Sequence, residues 1–470
     1  MLTLSTESLV EIVDGELLVG SGSTMVNGLA VDSRFVEPGN AFVAFVGEHV
    51  DGHRYICEAV EHGARALIVT HAAGDLTQEI ECAGERDSAV VRVGDALRAV
   101  QDLAAHHRGR LFCPVVGVTG STGKTTTKDF LTSVLSQHYR VVATEGNQNN
   151  ELGVPITVLQ AGADTDVLVV EMAMRGLGQI ARLAEIARPT AGLVTNVGAS
   201  HLELLGTQEA IASAKAELLR AVGAEGQVFL NCDDALSAGL AAETAATVVF
   251  YGLSDGCDVQ AIDIETDEES RPRFTLVTSA GSRDVALGVP GRHNIYNALA
   301  TAAVALSLQV GLDEIVEGLQ VAQAADMRMQ SFMSASGIQV INDAYNANPT
   351  SMRAAIETLA EMRVEGRRLA VLGDMAELGS LTELAHFRIG EEIARLPIEV
   401  LVTVGSRARR IVEGARAEGM PEQNLRPCAS PEEASEVLDD LLEPGDVVLV
   451  KASRVMGLER IVEGIVNPRV

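Results

Sequence analysis

Residues 115–137, VVGVTGSTGKTTTKDFLTSVLSQ, combine a buried-strand run, a glycine loop and an amphipathic helix. Gly120 and Gly123 allow a tight turn whose backbone N–H groups face inward, and the following helix start adds a positive end, so the loop suits phosphate. Ser121, Thr122 and Thr126 complete this cradle, with Lys124 placed to reach the outer phosphates and the Thr125 hydroxyl to hold Mg²⁺. The strict G-x-x-x-x-G-K-[ST] pattern fails at Val118, where its first glycine belongs, but the G-x-x-G-K-T core is intact. Two further strand ends carry usable groups. DVLVVE ends in Glu171, a carboxylate at the C-terminal edge of an apolar strand, where a magnesium ion would lie. AGLVTNVGASH brings Asn196 and His201 to a similar edge, upstream of Lys215. Of 36 basic residues four are lysines, at 124, 128, 215 and 451, against 32 arginines. Arginine and lysine share a charge but not a chemistry, so some of these four positions are expected to need a compact ammonium or a primary amine; compositional drift is the competing reading.

The elements that must position these groups read as α/β. In residues 1–112, the short apolar runs 41–47, 66–70 and 89–93 alternate with helical stretches, and 95–110 is an amphipathic helix leading into the next unit. Residues 113–325 hold β-branched strands at 113–118, 166–171 and 191–198, bounded by breakers as in a parallel sheet covered on both faces. An exposed hairpin or loop is expected at 263–273 and a small-residue helix at 297–309. Residues 326–470 restart the alternation, with strands at 337–343, 367–374, 398–405 and 446–453, which implies a third, doubly wound domain. The fold class is therefore α/β in three domains: a small α/β domain, a central P-loop ATPase-like domain and a C-terminal Rossmann-like domain.

At 470 residues the chain has ample apolar material (47%) for sizeable cores, which are aliphatic because aromatics are 3% and Trp is absent. A net charge of −29 argues against nucleic-acid and anionic-membrane binding, while leaving room for an anionic small substrate in a local positive pocket. No apolar run approaches a membrane span and the N-terminus is acidic, so neither a span nor a signal peptide is expected. The six cysteines (57, 82, 113, 232, 257, 428) are scattered and are expected to be reduced thiols in a cytoplasmic protein, acting as a monomer.

Beyond these readings, TGSTGKTTTK 119–128, GNQNNELGVP 146–155, TNVGASHLE 195–203, AKAE 214–217 and GRHNIYNALA 291–300 resemble the Mur ligases of peptidoglycan synthesis, over essentially the whole chain. DAYNANPTSM 343–352 and LGDMAELG 372–379 are similar to the member of that family that adds D-alanyl-D-alanine to UDP-N-acetylmuramoyl-tripeptide using ATP and Mg²⁺. Two segments depart from the family's usual form: KASR 451–454, and EMAMRGLGQI 171–180 after the glutamate. The resemblance implies a carboxylate-activating reaction with Lys124, Glu171, His201 and a carbamoylated Lys215 at its centre, the last two beside a second cation. It implies adenine reading by Asn297, with an N-cap as the competing role, and ribose and phosphate contacts from Arg328 and Asp343. It places Tyr345, Asn346 and Asn348 against the dipeptide or the nucleotide, although Asn and Pro there also suit turn chemistry. It assigns Ser33, Arg34, Asp51, Gly52 and His53 to the uridine diphosphate moiety, and Asn147 and Asn150 to the approach of the muramoyl substrate.

Overall fold

The computed structural model describes residues 1–198 and 202–467. Three sheets organise it, besides a two-stranded pairing of Thr3–Ser5 with Met25–Asn27. The N-terminal sheet has five strands, with Ala41–Val43, Ala66–Val69 and Ala89–Arg92 in parallel at its centre. The middle sheet has nine strands, in the order Gly281–Ala286, Pro272–Thr278, Val259–Thr266, Thr247–Gly252, Gln227–Asn231, Ala191–Val194, Val115–Thr119, Val167–Glu171, Val141–Ala143. Its first three strands form an antiparallel meander and the rest run parallel. The C-terminal sheet has six strands, with Gln339–Asn342, Val447–Lys451, Arg368–Gly373, Val400–Val404 and Leu425–Cys428 parallel and Gln330–Met333 antiparallel at its edge. This is the α/β architecture expected from the strand spacing. The 263–273 segment is the tip of the hairpin joining Val259–Thr266 to Pro272–Thr278.

Val115–Thr119, Val167–Glu171 and Ala191–Val194 are buried along their whole length, as strands covered by helices on both faces must be. Their shared C-terminal edge is where a doubly wound sheet presents its ligands. The helix Ala96–Arg108 is fastened to the middle sheet's connections: the Gln101 side chain donates to the Glu151 carbonyl (3.1 Å), and Arg108 donates to the carbonyls of Ala187 (2.8 Å) and Leu111 (2.7 Å). One continuous apolar core runs from Leu2 and Val43 through Ala99 and Leu103 to Val154, Leu168 and Ile211, so the N-terminal and middle sheets share an interior. The C-terminal sheet has apolar cores of its own on its two faces. No helix among the described residues is long and apolar enough to cross a membrane.

The expectation that all six cysteines are free is corrected. Cys232 and Cys257 form a disulfide, while Cys57, Cys82, Cys113 and Cys428 are free. Cys232 follows the strand Gln227–Asn231, and Cys257 lies in the connection after the neighbouring strand Thr247–Gly252. The parallel pairing of those strands brings the two together across 25 residues, a proximity that sequence spacing does not display.

Candidate active site

The loop 120–123 turns between Val115–Thr119 and the helix Lys124–Leu135. At Gly123, φ is +79°, and an added Cβ would stand 2.5 Å from Asn297 Oδ1; at Gly120 it would stand 1.8 Å from Thr195 Oγ1. Both positions therefore require glycine. The strand end after Ala191–Val194 clamps the loop. Thr195 Oγ1 donates to the Thr122 carbonyl (2.5 Å), Asn196 Oδ1 accepts from Thr122 N (3.0 Å), and its amide donates to Thr122 Oγ1 (2.8 Å). Asn196 is thus a loop clamp rather than a free group at the edge.

Lys124 Nζ donates to the Gly120 carbonyl (2.8 Å), folded back over its own loop. Burial pushes its ammonium down, Glu171 opposes that, and Arg328 adds to it. Glu171 is buried, with Oε1 accepting from Asn149 Nδ2 (2.7 Å) while Oε2 has no hydrogen-bond partner among the described residues. A buried carboxylate oxygen left bare is costly unless a cation meets it. Glu171 Oε2 and the Thr125 hydroxyl are hard oxygen donors of the kind that Mg²⁺ takes, so the residues present fit that ion.

These groups open onto a cavity of about 950 Å³ between the middle and C-terminal sheets. The loop residues 121–126, Asn147, Asn150, Glu171, Asn297, Arg328, Asp343, Tyr345, Asn346 and Asn348 all line it. Asn297 lies in the first turn of the helix Asn294–Ser307, whose N-cap is His293, so the competing N-cap role does not apply. Its Oδ1 accepts from Thr127 Oγ1 (3.1 Å) and its Nδ2 donates to Asn294 Oδ1 (2.8 Å). One N–H and one lone pair of the amide stay uncommitted by those two bonds.

Arg328 sits between Met327 and Met329, both at positive φ (57° and 54°), a sparsely populated conformation for non-glycine residues. The surroundings hold it there: Met329 N donates to Asp343 Oδ1 (3.2 Å), Tyr345 N donates to the Met327 carbonyl (3.2 Å), and the Arg328 guanidinium lies 4.2 Å from the Tyr345 ring centre. Asn346 Oδ1 accepts from Ala347 N (2.9 Å). Asn348 is the N-cap of the helix Pro349–Glu361, accepting from Ser351 N (2.9 Å), with proline in the first turn. The turn chemistry weighed for this segment is therefore real for Asn348. Asn150 likewise serves the backbone, accepting from Gly153 N (2.9 Å).

Lys215 lies in the helix Gln208–Ala221, 2% exposed, and does not line the cavity. Burial first, and the charge of Lys124 second, push its amine well below the usual lysine range, towards the neutral form. His201 lies outside the described residues. Lys128 is structural: its Nζ donates to the Thr144 carbonyl (2.9 Å) and pairs with Asp129 (2.6 Å).

The N-terminal candidates stand apart from the cavity; none of Ser33, Arg34, Asp51 and His53 lines it. Ser33 Oγ donates to Glu58 Oε2 (2.8 Å), and the exposed Arg34 pairs with Asp32 (2.6 Å). His53 Nε2 accepts from Thr70 N (3.0 Å), so its Nδ1 carries the proton and donates to Asp51 Oδ1 (2.7 Å). His53 also stacks on His71 at 3.7 Å.

Residue-type reasoning passed over several cavity groups: Asn149 on Glu171, Thr195 on the loop, Tyr296 and His293. Lys451 was signalled by lysine scarcity alone. Asn149 was hidden between the two asparagines chosen, and its partner is visible only in three dimensions.

A glycine loop before a helix, a bare carboxylate on the adjacent strand end and a cavity closed by a second nucleotide-fold sheet define a P-loop nucleotide-dependent enzyme. Models of the Mur ligase family catalytic domain, the Mur ligase middle domain and the Mur ligase glutamate ligase domain match residues 25–108, 118–305 and 327–454. The chain belongs to the Mur ligase family. It is 38% identical to UDP-N-acetylmuramoyl-tripeptide–D-alanyl-D-alanine ligase of Mycobacterium tuberculosis, over 99% of this chain and 98% of that one. It is similar to the solved UDP-N-acetylmuramoylalanyl-D-glutamyl-2,6-diaminopimelate–D-alanyl-D-alanyl ligase of Acinetobacter baumannii, at 30% identity, TM-score 0.83 and 99% and 98% coverage of the two chains. MurF of Thermotoga maritima, solved in complex with ADP, matches at 28% identity and TM-score 0.76, covering 93% of this chain and 96% of that one.

Proposed function

We propose that the protein joins D-alanyl-D-alanine to UDP-N-acetylmuramoyl-tripeptide at the expense of ATP, in the cytoplasmic synthesis of peptidoglycan precursors. The observation that carries this reading is the meeting, in one cavity, of the phosphate loop, the bare Glu171 oxygen and the 343–348 loop of the C-terminal sheet. In the reaction a tripeptide carboxylate oxygen attacks the γ-phosphorus and ADP leaves. The dipeptide amine then attacks the acyl carbon of the acyl phosphate, and inorganic phosphate departs with the carboxylate's former oxygen.

Phosphoryl transfer is mostly positioning and charge neutralisation. Lys124 exchanges the Gly120 carbonyl for phosphate oxygens, and the backbone of 121–126 cradles them. Thr125 and Glu171 would hold Mg²⁺, which when bound neutralises phosphate charge. The neutral amine of Lys215 adds CO₂ and releases a proton, giving a carboxylate-like carbamate that, with His201, would hold a second cation. Asn297 offers its uncommitted N–H and lone pair to adenine, and Arg328 and Asp343 take the ribose and phosphates. Tyr345, Asn346 and Asn348 face the incoming dipeptide, and Asn147 and Asn150 the muramoyl peptide. The uridine diphosphate lies on the N-terminal loops, where Arg34 and Ser33 offer charge and a hydroxyl and the Asp51–His53 pair shapes the wall.

The test is ADP release with UDP-muramoyl tripeptide, with and without D-alanyl-D-alanine. Sustained release that needs both substrates is expected, and Lys124→Ala should abolish it without unfolding the protein. Turnover within a few-fold of the unsubstituted enzyme in that variant would refute the reading.

A further inference from the structure

The reaction above assigns no role to the segment after Glu171. Residues 172–178 link the strand Val167–Glu171 to the helix Gln179–Ala187. The helix start is already satisfied, because Glu217 accepts from Gly178 N (2.6 Å) and Ala181 N (2.9 Å). Arg175 is fixed in this turn by its backbone N–H, which donates to Gln179 Oε1 (2.6 Å). Its side chain is exposed, lines the cavity and forms no ion pair with any described residue. Of the other cavity arginines, Arg182 holds Gln101 Oε1 (3.0 Å) and Glu185 (3.1 Å), and Arg328, stacked on Tyr345, is the one assigned to the nucleotide. In a chain of net charge −29, an uncommitted guanidinium in the central cavity is a strong anion site.

Sheet order says which anion. The phosphate loop follows Val115–Thr119. On one side of that strand, beyond Ala191–Val194 and Gln227–Asn231, the helix Asn294–Ser307 brings Asn297 and His293, the nucleotide side. On the other side come Val167–Glu171 and Val141–Ala143, whose following loops carry Arg175 and 147–151. This second side is also the one that the helix Ala96–Arg108 reaches from the N-terminal sheet, through Gln101 to Glu151 and Arg182. An acceptor whose nucleotide end rests on the N-terminal sheet therefore crosses Arg175 before its carboxylate meets the phosphate loop.

Resting on the ligase reading above, we infer that Arg175 binds a carboxylate of the acceptor peptide other than the one being activated. A D-glutamyl-2,6-diaminopimelate acceptor, as named for the Acinetobacter baumannii relative, has two such groups: the free glutamyl carboxylate and the second carboxylate of diaminopimelate. A planar guanidinium pairs with either in two parallel hydrogen bonds. Arg175 is thus a specificity residue that registers the acceptor along the cavity.

The test is steady-state ADP release by the full chain and by Arg175→Gln and Arg175→Lys. Three UDP-muramoyl tripeptides are compared: the free diacid form, the form with the glutamyl carboxylate as a carboxamide, and the form with lysine in place of diaminopimelate. Arg175→Gln is expected to raise KM for the diacid acceptor at least tenfold, with KM for ATP and for D-alanyl-D-alanine within twofold, and Arg175→Lys to recover part of the loss. The rise should vanish for the acceptor lacking the engaged carboxylate, and which one that is names the group. An equal rise for all three acceptors, or a matching rise in KM for ATP, would overturn the inference. Failure of the unsubstituted enzyme to release ADP with any acceptor would refute the ligase reading itself, and is seen before any substitution is made.

Discussion

The ammonium of Lys451 stands 2.6 Å from Asp343 Oδ2 and also donates to the Asn346 carbonyl at 3.0 Å, its side chain 3% exposed. One buried lysine at the end of Val447–Lys451 thus ties down the start and the middle of the 343–348 loop, which faces the phosphate loop across the cavity. Removing one partner of a buried pair strands the other's charge, which costs about 3–5 kcal/mol. Lys451→Met should lose stability on that scale in urea unfolding and raise KM for ATP. Adding Asp343→Asn should recover much of the stability but none of the nucleotide affinity. A single variant as stable as the unsubstituted protein would show that the pair does not hold the loop.

Lys215→Arg should behave as a charge reversal rather than a conservative change, because a guanidinium stays positive and does not form a carbamate readily. Losing a correctly placed cation should lower the ligation rate by on the order of 10²–10⁴. Lys215→Ala should be equally slow but partly rescued by millimolar short-chain carboxylates. Near-normal activity of Lys215→Arg would remove the carbamate from the mechanism.

Asn348 has two roles that substitutions can separate. As N-cap of Pro349–Glu361 it contributes about 1 kcal/mol, which Asn348→Ala forfeits and Asn348→Ser keeps. If its amide also meets the dipeptide, Asn348→Ser should fold with unchanged stability yet raise KM for D-alanyl-D-alanine well above any change for the tripeptide nucleotide. A serine variant with ordinary dipeptide kinetics would leave the cap as its whole role.

His293 gives the cavity a pH dependence with a defined sign. Burial pushes its imidazole down from 6.5 to about 4, against the pull of Asp343 and with a further push from Lys451. The unfolded chain therefore takes up a proton near pH 6.5 that the folded protein refuses until near pH 4. The neutral ring's contribution is fully present above pH 6.5 and is lost as pH falls towards 4, up to about 3 kcal/mol in all. Denaturation midpoints of His293→Gln should fall less steeply over that window; parallel curves would exclude the effect.

The strands under the site were legible because each is a short β-branched run ended by the group it carries: Val115–Thr119 before the glycine loop, Val167–Glu171 ending in its carboxylate. What escaped depends on partners distant in the chain. Asn149 reaches Glu171 because two strands lie parallel, and Cys232 meets Cys257 for the same reason. Asn150 and Asn348, chosen for substrate, are bound to backbone N–H groups, since a short amide near a helix start competes for local donors as readily as for a ligand. The pairing of His53 with Asp51 and Thr70 shows the same competition in the N-terminal sheet.

Three of the four lysines, at 128, 215 and 451, are sealed inside the protein, and Lys124 is half-buried on the cavity wall. The outer surface therefore carries its positive charge on guanidinium groups and offers acylating reagents no lysine ε-amine. Lys124 is then the lysine amine within a reagent's reach. Labelling of lysine ε-amines in the native enzyme becomes a reporter of the catalytic cavity: one lysine that bound nucleotide should shield.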